Sequence, residues 1–424
     1  MRDERLFATP DEARRIMLDH VRLMDTERVR LAGALGRVLR APILSDIDYP
    51  RSDVSSMDGY CLASEGTAGA SGASPLRFPV RGKSTPGAEP PRCEPGTCVL
   101  ITTGAPLAKG ADAVARYEDV TEHGEGGEVK GEVKGEVTSI DIRKPVPPAN
   151  YVRRQGEVIR KGDAVLEPGA LVTPQALGIL ASFAAGPYEV SRRPRAAVLA
   201  TGDELLPSGA ALGPYSIRDS NSPTLAGMLE SAGCDVAVSE SAGDNQEVIT
   251  GFLDDRGDCD VVMISGGVSG GRFDFVPACL ERIGARIILR GVKMTPGKPV
   301  LFALRGDTAY FGVPGNPVSA VVSLLMLIRP FILAMLGRTD YLPVSIEARC
   351  SGAIARKTPY VTYTPGLLTS DMVVTPMRFL GSGDIMSLAG ANALISIPED
   401  RDEVAAGDVA RVYPFDLIKQ GGEA

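Results

Sequence analysis

Three glycine-containing segments in the second half of the chain carry residue types that can bind phosphate. They are Thr-Gly-Asp-Glu at 201–204, Ser-Gly-Gly-Val-Ser-Gly-Gly at 265–271 and Pro-Gly-Asn-Pro at 314–317. Glycine lets the backbone approach an anion and turn successive N–H groups toward it. Each segment alone is equally well explained as a tight turn. Because all three follow predicted strands, we expect them at one sheet edge, with 265–271 as the phosphate-binding loop.

Charged residues accompany these segments. Glu204, Asp219 and Asp274 supply the hard oxygen ligands that Mg²⁺ requires beside a phosphate. Lys293 and Lys298, in Lys-Met-Thr-Pro-Gly-Lys-Pro, add flexible positive charge just before a strand. The structural alternative is that Asp219 and Asp274 cap helices and that Glu204 and the lysines are solvated. The residue types therefore allow metal-assisted chemistry on a phosphate without requiring it.

The elements that must position these residues form an alternating pattern from 195 to 337. Strands are predicted over 196–200, 235–238, 260–264, 286–289, 300–304 and 308–313, and helices over 223–232, 246–254, 275–283 and after Pro317. This alternation is typical of a doubly wound α/β domain with a largely parallel sheet. Ligands of such sheets bind outside the carboxyl ends of the strands, where the three segments lie.

The rest of the chain indicates further domains, and 424 residues suggest roughly three, or four if some are small. Thr9, Pro10 and Glu12 predict a capped helix. The region from 51 to 142 contains short strands between glycines and prolines, and the strands after 340 have the spacing of a small β barrel or sandwich. A Gly-Glu-Val-Lys repeat within 127–137 is either a long hairpin or a charged, solvated insertion.

Composition excludes several classes of function. The chain has 45 Lys and Arg against 53 Asp and Glu, a net charge of -8, which argues against a nucleic-acid or anionic-membrane surface. The longest apolar run, 318–328, is shorter than a bilayer span, and the start of the chain lacks a signal-peptide core, so we expect a cytoplasmic protein. Seven scattered cysteines and two histidines disfavour a zinc cluster and a Ser-His-Asp triad.

Six motifs together carry a resemblance over nearly the whole chain. They are Ser-Met-Asp-Gly-Tyr at 56–60, Thr-Gly-Ala-Pro at 103–106, Thr-Gly-Asp-Glu-Leu at 201–205, Ser-Gly-Gly-Val-Ser at 265–269, Pro-Gly-Lys-Pro at 296–299 and Gly-Val-Pro-Gly-Asn-Pro at 312–317. In order and spacing they resemble the molybdopterin molybdenumtransferase (MoeA) family, which includes the gephyrin E domain. By contrast, no Walker-type or Gly-x-Gly-x-x-Gly loop follows a predicted strand, which disfavours an unrelated nucleotide-binding transferase.

The resemblance implies a multidomain α/β plus β fold, an elongated four-domain homodimer. Its expected parts are a helical and extended domain in two segments (1–50 and 143–194), an inserted β domain (51–142), a molybdopterin-binding α/β domain (195–338) and a C-terminal β barrel (339–424). The implied reaction takes adenylylated molybdopterin and molybdate, uses Mg²⁺, releases AMP and leaves molybdenum on the dithiolene. A molybdopterin adenylyltransferase and recipient molybdoenzymes are the implied protein partners.

The resemblance also implies roles for individual residues. Gly266, Gly267 and Ser269 would hold the phosphate end of the pterin, and Asp274 would contact the nucleotide or its metal. Glu204 and Asp219 would shape the acidic part of the site, and Lys293 and Lys298 would balance phosphate and molybdate charge. Pro314, Gly315 and Asn316 would form the adjoining wall, and Ser382 would come from the barrel near the oxyanion. The partner subunit would present Asp58 and Thr103, and Asp58 would bind metal together with Glu204.

The chain also departs from the family pattern. Val158 follows Gly-Glu where the family usually has Asp, residues 361–365 lack the usual barrel arginines, and Arg272 stands where an acidic residue is common. Two missing guanidinium groups would weaken oxyanion capture, because lysine cannot reproduce their bidentate geometry. The alternative function is therefore a divergent molybdopterin carrier or assembly scaffold with little turnover.

Overall fold

A computed structural model describes residues 7–124, 128–129, 132–133, 136–268 and 274–415. The chain forms two compact units. The larger unit comprises the residues up to 41, 168–173 and those from 187 onwards, and the smaller unit comprises 42–167 and 174–186. Each unit is built from segments that are separated in the sequence, three in the larger unit and two in the smaller. The exact four-domain boundaries expected from the sequence stay a prediction.

The larger unit contains the predicted α/β sheet. Its strands run, in spatial order, as Asp235–Ala242, Arg195–Thr201, Val261–Ser265, Thr308–Val313, Leu301–Arg305 and Arg286–Arg290. The first four strands are parallel to one another. Leu301–Arg305 is antiparallel to both of its neighbours, Thr308–Val313 and Arg286–Arg290. Alternate residues of the central strands enter two separate hydrophobic clusters, one on each face, as in a doubly wound sheet. The helical segments with residues in these clusters are Pro10–Leu18, Asn221–Ser231, Gln246–Asp254, Val276–Arg282, Pro317–Ser323, Leu324–Ile328 and Arg329–Met335.

One helical segment is longer than the sequence predicts. Pro317–Ser323, the π-helical turn Leu324–Ile328 and Arg329–Met335 form a continuous 19-residue helix, long and apolar enough to cross a bilayer. The prediction of a run too short to span was therefore wrong about length. Proline lacks an N–H group, so Pro330 cannot bond the carbonyl four residues earlier, and Arg14 Nη1 donates to that Met326 oxygen instead at 3.2 Å. Because 89% of the apolar window is buried in the protein, core packing accounts for its composition.

The N-terminal segment packs with the larger unit. The helix Pro10–Leu18 begins with the predicted capping box, in which Thr9 and Glu12 bond reciprocally. The strand Thr26–Val29 pairs with Tyr188–Ser191, which follows the smaller unit's last segment in the chain. A 3₁₀ turn, Leu31–Gly33, follows.

The C-terminal part of the larger unit is a closed five-stranded barrel, as predicted. Its strands pair in the cyclic order Val361–Leu368, Val373–Pro376, Ile346–Cys350, Val409–Pro414 and Ala393–Ile397, which returns to Val361–Leu368. The short strand Met294–Thr295, which follows Arg286–Arg290 of the α/β sheet in the chain, pairs in parallel with Val361–Leu368 of the barrel. The other small elements here are Leu205–Leu206 with Ile217–Arg218, Ile354–Ala355 with Glu403–Val404, and the helix Met386–Ala389.

The smaller unit is built around a six-stranded sheet. Its spatial order is Ala113–Arg116, Gly59–Leu62, Cys98–Ile101, Leu76–Ser84, Val137–Ile142 and Val120–Gly124. Within the charged repeat, Glu128–Val129 pairs antiparallel with Glu132–Val133, as the hairpin alternative predicts. The remaining elements are Ile43–Leu44 with Ala164–Leu166, Val54–Ser55 with Val152–Arg153, the 3₁₀ turns Ser64–Thr67 and Tyr117–Asp119, and the helix Pro174–Phe183.

Candidate functional site

A cavity of about 1150 Å³ opens in the larger unit where the strand-end loops meet the barrel. The predicted site residues that border it are Glu204, Asp219, Gly266, Gly267, Asp274, Lys298, Pro314, Gly315, Asn316 and Ser382. These residues come from loops up to 178 positions apart, as Glu204 and Ser382 show. The structure therefore brings ten predicted residues to one surface within a single unit.

The start of the predicted phosphate loop has a backbone that requires glycine. Gly266 and Gly267 have φ of +102° and +64°. A Cβ on Gly266 would lie 2.5 Å from the Thr201 carbonyl oxygen, so the loop passes directly over the end of the strand Arg195–Thr201. The Gly266 N–H donates to the Val313 carbonyl at 3.0 Å, and the Val276 N–H donates to the Gly267 carbonyl at 3.2 Å. Ser269, the third predicted loop residue, lies outside the described residues.

Asn221, a residue that the sequence analysis did not select, connects two of these loops. Its side chain is 7% exposed, and Nδ2 donates to Ser265 Oγ at 2.8 Å and to the Gly315 carbonyl at 2.7 Å. Ser265 Oγ in turn donates to the Pro314 carbonyl at 3.3 Å. The sequence feature that could have identified Asn221 is its position two residues before the predicted helix 223–232 and two residues after Asp219. The Asn221 amide and the Ser265 hydroxyl together fix the Pro-Gly-Asn turn against the end of the strand Val261–Ser265.

Asp219 has the structural role that the alternative interpretation gave it. Its Oδ1 accepts from the backbone N–H groups of Asn221 and Ser222, each at 3.0 Å, at the beginning of the helix Asn221–Ser231. Side-chain acceptance of these orphan donors stabilises a helix start. Asp219 also borders the cavity, so its charge contributes to the site even though one oxygen is committed to the cap.

Four acidic residues form what we call the carboxylate cluster: Asp203, Glu204, Asp244 and Asp274. Burial raises the pKa of Asp244, and the charges of Asp203, Glu204 and Asp274 raise it further. The Asp244 N–H donates to Asp203 Oδ1 at 2.9 Å, which fixes the two loops together. Asp244 was not selected from the sequence, although it follows the strand Asp235–Ala242 at the same sheet edge as the other loops.

The carboxylate cluster fits Mg²⁺ only in company with a phosphate. Among the residues that the structure describes, no group of three or more His, Cys, Asp or Glu is arranged to hold a metal alone. Magnesium is usually bound through one or two carboxylates plus substrate phosphates and water. The mutual repulsion that raises the pKa of Asp244 is relieved by a nearby cation. The donor set therefore suits a magnesium ion that arrives with its substrate.

The predicted lysines are placed differently. Lys298 borders the cavity, and its Nζ lies 5.5 Å from the Phe7 ring centroid and 5.4 Å from that of Tyr360. Lys293 is not among the residues that border the cavity, and its Nζ lies 6.0 Å from the Phe7 ring. We call Phe7, Lys293, Lys298 and Tyr360 the aromatic–lysine cluster. Only one of its two ammonium groups reaches the cavity wall.

The barrel contributes a polar edge to the cavity. Asn316 Nδ2 donates to Ser382 Oγ at 2.9 Å, and the Val318 N–H donates to the Ser382 carbonyl at 3.1 Å. These bonds join the Pro-Gly-Asn turn to the Gly-Ser-Gly segment, as expected if Ser382 belongs to the site. Lys357, which the sequence analysis did not select, also borders the cavity and adds a second lysine to its wall.

Asp58 and Thr103 meet each other in the smaller unit. The Thr103 N–H donates to Asp58 Oδ1 at 2.7 Å, and Thr103 Oγ1 donates to the same oxygen at 3.1 Å. Gly59 is required beside them because a Cβ there would lie 2.1 Å from the Ala115 carbonyl oxygen, at a φ of +155°. The two motifs therefore form one local site with a carboxylate held by a backbone amide and a hydroxyl.

Family models match three consecutive stretches of the chain. Residues 8–184 match the MoeA N-terminal region (domain I and II), residues 197–334 match a probable molybdopterin binding domain, and residues 347–415 match the MoeA C-terminal region (domain IV). The middle match covers the α/β sheet and the loops that follow its strands at the cavity. The last match covers the barrel.

Full-length proteins show the same similarity. The chain is 32% identical over 418 residues to a molybdopterin molybdenumtransferase of Haemophilus influenzae, covering 97% of this chain and 99% of that protein. It is 32% identical over 410 residues to molybdopterin molybdenumtransferase 2 of Mycobacterium tuberculosis, covering 95% and 98%. The crystal structure of a molybdopterin biosynthesis MoeA protein from Pyrococcus horikoshii OT3 superposes with a TM-score of 0.81 at 25% identity, covering 96% of this chain and 100% of that one.

Proposed function

The chain belongs to the MoeA family of molybdopterin molybdenumtransferases, and we propose that it transfers molybdenum from molybdate to adenylylated molybdopterin with release of AMP. The observation that carries this proposal is the composition of the cavity wall. A glycine loop, a carboxylate cluster and the Lys298 ammonium group border one cavity, which suits a ligand with phosphates and an oxyanion. Full-length similarity to molybdenumtransferases supports the same reaction class.

In this proposal the loop at Gly266 and Gly267 receives the phosphate end of the pterin. Because both residues have positive φ and no side chain, the ligand can approach the backbone closely. Asn221 keeps the loop and the Pro-Gly-Asn turn in fixed relative positions through its two hydrogen bonds. Lys298 gives a mobile positive charge that can follow the oxyanion or a phosphate.

Magnesium would be held by Glu204 and Asp244 together with oxygens of the substrate's phosphates. When bound, such an ion neutralises the charge that develops on a phosphoanhydride as it is cleaved. The chain's own residues bind and orient the two substrates, and the reaction as proposed needs no covalent enzyme intermediate. Asp274, at the end of the glycine loop, would lie beside the nucleotide or its metal.

We also propose a homodimer in which the partner subunit's Asp58 and the partner subunit's Thr103 complete the site. The support is the family membership and the local geometry, in which the Asp58 carboxylate is held in place by Thr103. Sedimentation at micromolar protein concentration tests this directly. A monomer at that concentration would remove the shared-site arrangement and leave Asp58 without its proposed role.

A second function, a molybdopterin carrier with little turnover, is favoured by one observation. The barrel residues at this edge of the cavity include the uncharged Thr362 and Thr364, in the run where the family pattern has arginines. Fewer guanidinium groups weaken oxyanion capture. The carrier function predicts that the protein binds adenylylated molybdopterin and keeps its nucleotide intact.

One assay distinguishes the two functions. Purified protein is incubated with adenylylated molybdopterin, Mg²⁺ and molybdate, and both AMP and pterin-bound molybdenum are measured over time. The transferase releases AMP in an amount that matches the molybdenum bound and exceeds the amount of protein present. Pterin binding with no AMP release would contradict the transferase proposal and support the carrier.

A further inference from the structure

Lys298 is the lysine of the aromatic–lysine cluster that borders the cavity, and its ammonium group contacts two aromatic rings at once. Nζ lies within 5.5 Å of both the Phe7 and the Tyr360 ring centroids. The two rings also contact each other edge to face, with centroids 5.7 Å apart and planes at 82°. A cation within about 6 Å of an aromatic face is attracted by the ring's quadrupole. Two such faces restrict an otherwise flexible side chain.

Phe7 is held in position by contacts of the N-terminal segment with residues 291–293. The Lys293 N–H donates to the Ala8 carbonyl at 2.8 Å, and Ala8 forms a parallel bridge with Val292. The Phe7 ring lies directly on the backbone of Gly291, where a Cβ would come within 2.7 Å of Phe7 Cδ2. The N-terminal segment is therefore held against the segment that carries Lys298.

Tyr360 is fixed from the barrel side. Thr358 and Thr295 share a hydroxyl–hydroxyl hydrogen bond of 2.9 Å. Just beyond Tyr360, Val361 pairs with Met294 in the parallel addition of Met294–Thr295 to the barrel. Three segments that are distant in sequence therefore converge on one ammonium group, although that group belongs to an exposed residue.

We infer that Phe7 and Tyr360 are positioning residues that hold the Lys298 ammonium group at the cavity wall for an oxyanion or phosphate oxygen. This inference rests on the proposed function for the identity of the anion. A free lysine loses side-chain entropy when it binds an anion, and a lysine already held against two rings loses less. Neither Phe7 nor Tyr360 borders the cavity, so their contribution passes through Lys298.

The first test reads the position of Lys298 without any ligand. Lysines of the full-length protein are converted to ¹³C-dimethyl-lysines, and the Lys298 signal is assigned by its loss in Lys298→Arg. Ring currents should shift this signal away from the exposed lysines in the native protein. Tyr360→Leu and Phe7→Leu should each move it toward them, whereas Tyr360→Phe should leave it in place. A native Lys298 signal among the exposed lysines would overturn the inference.

The second test reads the consequence for the reaction. Tyr360→Leu should raise the KM for molybdate in AMP release about two- to fivefold with kcat nearly unchanged, because the lost contact acts on binding. Tyr360→Phe keeps the ring and should restore the native KM. In a Lys298→Ala background, Tyr360→Leu should change nothing further. An equal rise in KM with and without Lys298 would contradict positioning through that residue.

The two tests separate failure of the inference from failure of the proposed function. Native protein that releases no AMP would contradict the transferase function, while the lysine signal would still show whether the rings hold Lys298. Native protein that releases AMP with an unshifted Lys298 signal would support the function and contradict the positioning role.

Discussion

The carboxylate cluster and the aromatic–lysine cluster each contribute residues to the wall of one cavity but are built in opposite ways. Acidic residues of the first follow neighbouring strands of one sheet, and their like charges raise the pKa of Asp244. The second joins the N-terminal segment, the loop before Leu301–Arg305 and a barrel segment, and its charge at Lys298 lies near two aromatic rings. On the proposed function a cation would complete the acidic side, whereas the protein's own aromatic rings contact the ammonium group of the basic side.

The largest effect should come from a change that disrupts the loop next to the carboxylate cluster. Gly266→Ala introduces a Cβ 2.5 Å from the Thr201 carbonyl oxygen at a φ of +102°. Strain and overlap together should destabilise the larger unit by about 3 kcal/mol or more, and AMP release should fall at least 100-fold by order of magnitude. Thermal unfolding and AMP kinetics measure the two losses.

The matched control for this change is Gly227→Ala. Gly227 lies inside the helix Asn221–Ser231, where a Cβ meets nothing within 4 Å, so alanine should be neutral or slightly stabilising. Similar losses in both variants would show that glycine replacement in this domain is damaging for a reason unrelated to the loop geometry.

The next largest effect should come from the basic side. Lys298→Ala removes a charge-assisted contact and should weaken binding of adenylylated molybdopterin or molybdate roughly 10- to 100-fold, with the fold intact because the residue is exposed. Lys293→Ala is the control, since Lys293 contacts the same Phe7 ring but does not border the cavity. Calorimetric titration that gives equal losses for both lysines would remove the distinction between them.

Asn221→Ala should have an intermediate effect on both sides of the cavity. The substitution removes the Nδ2 bonds to the Gly315 carbonyl at 2.7 Å and to Ser265 Oγ at 2.8 Å, so the Pro-Gly-Asn turn keeps the Ser265 bond to Pro314 but loses its link to Asn221. Loss of a buried hydrogen bond of this kind costs about 1–3 kcal/mol, so the melting temperature and the ligand affinity should both fall. Thr224→Ala, which removes a hydroxyl bond within the same helix, is the control for helix damage alone. A loss of stability with unchanged affinity would contradict the role of Asn221 in joining the loops.

The smallest effect should be a gain in stability from Asp244→Asn. Burial and neighbouring carboxylates raise the pKa of Asp244 above its ordinary 3.8, so ionisation destabilises the fold as pH rises through that window and the penalty is fully present at pH 7. Without Mg²⁺, the melting temperature of the variant at pH 7 should be about 1–2 °C above that of the native protein. In acid, below the ordinary pKa of the carboxyl group, the two melting temperatures should be equal. Added Mg²⁺ with phosphate ligand should stabilise the native protein more than the variant.

Asp235→Asn is the control at the opposite end of the same strand, where the side chain is exposed. It should show neither the gain at pH 7 nor the reduced response to Mg²⁺. If Asp244→Asn were less stable than the native protein at pH 7, this carboxylate would make favourable contacts that outweigh the repulsion.

The sequence predicts the acidic side of the cavity better than the basic side because the acidic side is local. Each loop follows directly from a strand whose apolar run can be recognised, so Glu204 and Gly266 lie at the sheet edge where their loops were expected. Asp244 was missed because the polar residues 239–241 of the edge strand Asp235–Ala242 resemble a loop. The predicted strand ended at 238, which left Asp244 too far from the sheet edge to be selected.

The aromatic–lysine cluster has no local signal at all. Phe7, Lys298 and Tyr360 are separated by hundreds or tens of residues, and their meeting depends on how the barrel and the N-terminal segment pack. The apolar run after Pro317 shows the same limit, since the helix continues past Pro330 and the Met326 carbonyl that proline cannot bond accepts from Arg14, a residue more than 300 positions away in the sequence. Contacts of this kind are fixed by tertiary structure and are invisible to periodicity.

A crystal structure with adenylylated molybdopterin and Mg²⁺ bound tests the central claim most directly, namely that one cavity binds the substrate between these two clusters. We predict phosphate density at Gly266 and Gly267, a metal ion in contact with Glu204 or Asp244, and Lys298 still between the Phe7 and Tyr360 rings. Substrate bound with its phosphates away from the Gly266 loop, or metal bound away from the carboxylate cluster, would contradict the account.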